Sequence, residues 1–147
     1  MSEVSLRPAA PADLAGAQQL LADSDLPTEG VAEHWGPEYV VAEWEGRVAG
    51  VAGIERHGDH GLLRSVAVSA PLRGSGLGAR LVEDRLRWAE RQGIRDIYLL
   101  TNTAATWFPR YGFVPVTRAD VPAVVLAAPE FASICPSSAT VLVRRSA

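Results

Sequence analysis

Apolar and polar positions change period several times along the chain. Val4-Ser5-Leu6-Arg7 alternates and stops at Pro8, which predicts a short, half-buried strand. After Pro11, the residues Leu14, Ala17, Leu20 and Leu21 recur at helical spacing, predicting a helix to about Ala22. Residues 23–37 hold two prolines and two glycines and are expected to form an irregular loop with one short helix. Tyr39–Trp44 and Arg47–Ile54 flank Glu45-Gly46 and predict a hairpin. A second turn at His57–Gly61 leads to a strand over Leu62–Val68, so these three strands form an antiparallel meander.

Beyond that point the period lengthens. Leu77, Leu81, Val82, Leu86 and Ala89 form one apolar stripe, with Arg80, Glu83, Asp84, Arg87, Glu90 and Arg91 opposite, and Gly93 ends this helix. Ile94–Thr101 reads as a buried strand, and strand–helix–strand implies a right-handed parallel crossover. A short helix kinked by Pro109 is expected over 103–111, then a strand entered through Gly112–Thr117. One helical piece is expected near Val121–Ala127, and Thr140–Arg144 makes a last strand. The fold class is α/β: a mixed, mostly antiparallel central sheet of six to seven strands with helices on both faces, in one domain over 1–147.

Composition narrows the chemistry. Hydrophobic residues at 48% and charged residues at 21% of 147 positions are globular proportions. A net charge of -3 speaks against a nucleic-acid binder, which needs a basic face. No apolar run approaches the roughly 20 residues that cross a bilayer, and Met1–Val4 lacks a signal-peptide pattern. The expected compartment is therefore the cytoplasm. With Cys135 as the sole cysteine, neither a disulfide within the chain nor a multi-cysteine metal site can form. All 14 basic residues are arginines, so lysine chemistry and the Walker phosphate loop are excluded.

The densest signal is Arg73-Gly74-Ser75-Gly76-Leu77-Gly78, placed between a strand and the long helix. Backbone N–H groups at a helix start have no intrahelical acceptors, and glycines there let an anion approach them. The alternative is that these glycines are merely steric, but the coincidence of arginine, three glycines, strand and amphipathic helix favours a diphosphate site. A dinucleotide fingerprint fails on context, because the preceding strands look antiparallel.

Val66-Ala67-Val68-Ser69-Ala70-Pro71-Leu72-Arg73-Gly74-Ser75-Gly76-Leu77-Gly78 resembles the acetyl-CoA signature of the GNAT superfamily of N-acetyltransferases, through Arg73, Gly76 and Gly78. Ala104–Phe113 is similar to that family's helix ending in a Gly-Phe pair. The resemblance implies that amides from Gly74 to Ala79 hold the diphosphate of acetyl-CoA, beside Arg73. It also implies that Val66, Ala67 and Val68 pair with the pantetheine arm, and that an amide at Val66 or Ala67 polarises the thioester. Asn102 and Phe108 fall at cofactor-side positions. Phe108 occupies the place where many relatives carry a tyrosine acid, so that acid is missing, and Tyr111 is a weak substitute for it.

The acceptor side is less marked. Candidate bases are Glu55, His57, Asp59 and His60, of which Glu55 and His60 are kept, with a solvated turn as the alternative for each. Arg64, placed with Val66 and Val68 on one strand face, is a candidate clamp for a substrate carboxylate, or else a salt-bridge partner. His34 and Trp35 fall in the variable loop where relatives build the acceptor pocket, or pack in the core. Strand motifs and the tail Phe131–Ala139 resemble small acetyltransferases encoded with arsenic-resistance genes and the acetyltransferase domain of N-acetylglutamate synthases. These imply a small amino-acid-like amine as acceptor, without metal, nucleic acid or membrane, and with a homodimer or a monomer equally open. The alternatives are a non-catalytic acyl-CoA-binding module and a protein N-acetyltransferase.

Overall fold

A computed structural model describes residues 3–133 and 139–145. The elements are β1 (Ser5–Pro8), α1 (Leu14–Asp23), α2 (Val31–His34), β2 (Tyr39–Trp44), β3 (Arg47–His57), β4 (His60–Val68), α3 (Leu77–Arg91), β5 (Asp96–Thr101), β6 (Val114–Pro115), α4 (Ala123–Leu126), α5 (Pro129–Ser133) and β7 (Thr140–Arg145). They build a seven-stranded sheet in the order β1-β2-β3-β4-β5-β7-β6. Every pairing is antiparallel except β4 with β5, which α3 joins by the expected crossover. Glu45 and Gly46 both take positive φ, 53° and 75°, the backbone that a two-residue hairpin loop requires.

Side-chain alternation on the strands divides the core. Ile97 and Leu99 of β5 face α3, where they pack with Val82, Leu86 and Ala89. Tyr98 and Leu100 face the other way, onto Val121, Val125 and Phe131 of the α4–α5 region. Helix α1 covers the same face farther along the sheet, with Ala17, Leu20 and Leu21 against Val41, Val51 and Ala67. The five predicted stripe positions of α3 are all buried.

Three local expectations change. Over 103–111 only a 3₁₀ turn at Phe108–Tyr111 forms, because Pro109 supplies no amide and allows no regular helix to build through it. The strand after Gly112 is cut to Val114–Pro115, where a proline again removes a ladder donor. The helical piece near 121–127 forms as α4, and a second short helix that the sequence pattern did not predict, α5, opens at Pro129. Cys135 and most of the tail motif lie outside the described residues.

Candidate active site

A parallel pair that parts midway makes the cleft. Strands β4 and β5 are paired only at His60–Leu62 with Asp96–Tyr98, and beyond Leu62 the β5-facing edge of β4 has no strand partner. The gap opens into a cavity of about 680 Å³. Its walls come from Leu63–Val66 of β4, Leu99–Thr101 of β5, the loop after α1, the turn at 102–108 and Glu130 of α5.

A bulge in β4 sets which side chains reach this cleft. Register against β3 slips between Gly53↔Arg64 and Val51↔Ala67, and Ser65 absorbs the extra residue with φ 61°. Val66 therefore packs toward α3, whereas Arg64 points to the opposite face. Arg64 does not share a face with Val66 and Val68 as strict alternation predicts; the bulge inverts it.

The Arg64 side chain is fully buried. It donates from Nη1 to the Glu29 carbonyl at 2.5 Å, from Nη2 to the Pro27 carbonyl at 3.0 Å and from Nε to Ser65 Oγ at 3.1 Å. Two carboxylates flank it: Glu55 Oε2 lies 3.6 Å from Nη1, and Glu130 Oε2 lies 3.5 Å from Nε. Arg64 thus fastens the loop after α1 to the sheet while carrying a charge at the cleft wall.

The two carboxyls respond oppositely. Burial pushes Glu130 up to about 8, with Arg64 opposing and Glu55 adding to the rise. Burial also pushes Glu55 up, but the neighbouring His57, Tyr39 and Arg64 outweigh it and hold Glu55 below the usual carboxylate range. Tyr39 donates to Glu55 Oε2 at 2.5 Å.

The glycine turn stands beside the cleft-lining Trp107. Gly74 and Gly76 have φ 82° and 89°, and Gly76 caps α3. A Cβ at either would meet nothing within 4 Å, so their positive φ rather than crowding demands glycine. The first intrahelical bond is Arg80 N–H to the Gly76 carbonyl, which leaves the amides of Leu77, Gly78 and Ala79 without a helical acceptor. The Ser75 amide is engaged by the Leu72 carbonyl, and Arg73 folds back to donate from Nε to the Val68 carbonyl at 3.1 Å. A Cβ at Gly78 would lie 3.9 Å from Val68 and 4.0 Å from Trp107, so the helix start faces both the end of β4 and the 102–108 turn.

Of the residues singled out from sequence, Arg64, Val66, Asn102 and Phe108 line the cleft; Ala67, Val68 and residues 73–79 do not, and the glycine turn approaches it through Gly78, beside the cleft-lining Trp107. Glu55 and His60 do not line it. Glu55 lies behind Arg64, and His60 lies at the far end of β4, 3.7 Å from Asp96. His34 and Trp35 sit behind the loop: His34 Nδ1 is 3.0 Å from Glu38 Oε1, and Trp35 donates to the Ala10 carbonyl at 2.8 Å. Phe108 is buried against Trp107 and Phe113 and carries no proton to give. Glu130 was missed because its segment has no clear period; its position before Phe131 in a proline-bounded stretch was the only signal.

Comparison with known proteins settles the family. The model of the Acetyltransferase (GNAT) family matches residues 9–113. The chain belongs to the GNAT acetyltransferase family. This GNAT chain is 32% identical over 88 residues to the amino-acid acetyltransferase of Pseudomonas fluorescens (strain Pf0-1), a match covering 58% of the chain and 20% of that protein. Among solved structures it superposes on N-acetylglutamate synthase from Neisseria gonorrhoeae, complexed with coenzyme A and N-acetyl-glutamate, with a TM-score of 0.81 at 24% identity. That match covers 97% of this chain and 35% of the other. It also superposes on Rv2747 from Mycobacterium tuberculosis, in complex with CoA, with a TM-score of 0.81 at 23% identity over 97% and 99% of the two chains. The chain thus spans about a fifth of the curated relative and a third of the gonococcal synthase, and the structural likenesses establish the fold. None of these relatives' names supports the arsenic-resistance resemblance drawn from the tail. No helix among the described residues is long and apolar enough to cross a membrane.

Proposed function

We propose that this protein transfers the acetyl group of acetyl-CoA directly to the amine of a small amino-acid-like acceptor. One observation carries the reading: the gap between β4 and β5 runs from Trp107, which stands beside the glycine-lined start of α3, to the buried Arg64–Glu130 pair. A donor with a diphosphate and a thioester fits the first part. An acceptor with an amine and an acid group fits the second.

In this reading the amides of Gly74, Gly76, Leu77, Gly78 and Ala79 hold the diphosphate, with Arg73 and Ser75 shaping the turn. The edge of β4 at Val66–Val68, where Arg73 holds the Val68 carbonyl, takes the pantetheine arm as an added strand. An amide of Val66 or Ala67 then stabilises the oxyanion that forms as the amine nitrogen attacks the thioester carbon. Phe108 and Asn102 border the donor. Glu130, raised to about 8 by burial, takes the proton that the acceptor ammonium must lose when it is in its ionised form, so transfer should quicken as pH rises toward that value. The carbon–sulfur bond breaks and CoA leaves as a thiolate, which with an ordinary thiol pKa near 8.5 departs without a dedicated acid at Phe108.

The acetyltransferase similarity to an amino-acid acetyltransferase supports the acceptor class. Phe108, in the place of an acid, favours a second reading: a module that binds acyl-CoA without turnover. Thiol release from acetyl-CoA, measured across free α-amino acids, their carboxamides and the matching α-hydroxy acids, separates the two. The expected result is release with at least one amino acid, at least tenfold slower with its carboxamide. Release at the hydrolysis background with every amine sinks the enzyme reading.

A further inference from the structure

We propose that His34, Glu55 and His57 bind a first-row divalent cation that fastens the α2 loop to the end of β3. The three residues each offer one donor atom, and all these atoms lie within 4.8 Å of one another. Two histidines and one carboxylate are a recurring donor set for such ions.

The donor atoms are ready in a way that chance proximity does not explain. Glu55 is wholly buried, and its Oε1 has no hydrogen-bond partner among the described residues; the same holds for His57 Nε2. These two atoms face each other at 3.8 Å, too far for a hydrogen bond. Two ligands on one tetrahedral ion, each at about 2.1 Å, stand roughly 3.4 Å apart. A buried carboxylate oxygen and a buried imidazole nitrogen, both unsatisfied and at this separation, are costly unless something sits between them.

Outer contacts orient the same atoms. Tyr39 occupies Glu55 Oε2, which leaves Oε1 as a monodentate donor. Glu38 Oε1 lies 3.0 Å from His34 Nδ1, an arrangement that fixes the tautomer with Nε2 carrying the lone pair. The His34 and His57 rings stand 5.3 Å apart, with His34 at the end of a four-residue helix. The loop thus held also presents the Pro27 and Glu29 carbonyls to Arg64, so the cation would stiffen one wall of the cleft without touching it.

Cobalt(II) titration of the chelator-stripped full chain tests this, with zinc(II) as competitor. The proposal expects one cobalt per chain, a visible ligand-field band displaced by zinc, and loss of that band in both His57→Ala and His34→Ala. It also expects zinc at a hundredfold excess over Kd to raise Tm by roughly 5–10 °C, a rise absent from His57→Ala. Both variants alter partly buried side chains, and their Tm without metal reports whether they fold. An aquo-cobalt spectrum, a band that survives both variants, or a thiolate-to-cobalt charge-transfer band pointing to Cys135 each overturns the site.

Discussion

Gly53 stands directly across β2–β3 from Tyr39, and a Cβ built on it would fall 2.4 Å from the Tyr39 ring. The missing side chain lets the ring lie flat over β3 and carry its hydroxyl to Glu55, which in turn backs Arg64. Gly53→Ala is expected to push the ring aside and cost about 1–3 kcal/mol, the usual range for overpacking, although alanine suits a strand better than glycine. Denaturant unfolding checks this. A variant as stable as the parent would show that Tyr39 has room to move.

Ser65 holds the bulge that sends Arg64 and Val66 to opposite faces. Its positive φ costs a non-glycine residue about 1–2 kcal/mol. Ser65→Gly should therefore fold within about 1 kcal/mol of the parent, while Ser65→Val, β-branched and without the hydroxyl that accepts from Arg64 Nε, should lose more than about 2 kcal/mol. Equal stability of the two variants would contradict the bulge as the source of strain.

Glycine has two separable uses at the start of α3. Gly78 lies inside the helix with room for a Cβ, so Gly78→Ala should hold or raise Tm, helix propensity favouring alanine by about 1 kcal/mol. In the proposed donor site the same methyl would intrude where the amides meet a diphosphate, so CoA affinity should fall at least tenfold by calorimetry. Affinity unchanged in a stable Gly78→Ala protein would move the donor away from this turn.

Glu130 gives the fold a pH dependence of predictable sign. Its folded pKa, pushed up to about 8 by burial, lies above the unfolded value of about 4.3. Between those limits the folded chain holds a proton that the unfolded chain has released. The contribution to stability is thus complete below about pH 4.3 and declines as pH rises toward 8. Glu130→Gln removes this slope, so the parent's Tm should fall relative to the variant across that window. Parallel curves would mean that the carboxyl is charged in the fold.

The hairpin, the meander, the crossover and α3 were legible because each is a local pattern: Glu45-Gly46 at a turn, five apolar positions on one stripe. The proposed donor turn stood out for the same reason, since Arg73–Gly78 is a contiguous motif between a strand and a helix. The acceptor end was not. Strict alternation places Arg64 beside Val66, and nothing in the composition of Leu62–Val68 announces that Ser65 will take a left-handed backbone. Glu130 comes to the cleft from a segment broken by Pro122 and Pro129, where no period forms. Likewise Glu55 and His57 stood out as candidate bases on a turn, and only the fold brings His34 to them.

The central claim is that an acetyl group moves from a donor held at α3 to an amine beside Glu130. Mass spectrometry of an amino-acid mixture incubated with acetyl-CoA and the parent or Glu130→Gln protein tests it most directly. The account predicts one or a few α-N-acetylated products with the parent, formed at least a hundredfold more slowly with Glu130→Gln, in line with loss of a general base, while both bind CoA equally. CoA binding by both proteins with no acetylated amine from either, or equal rates from the two, would contradict it.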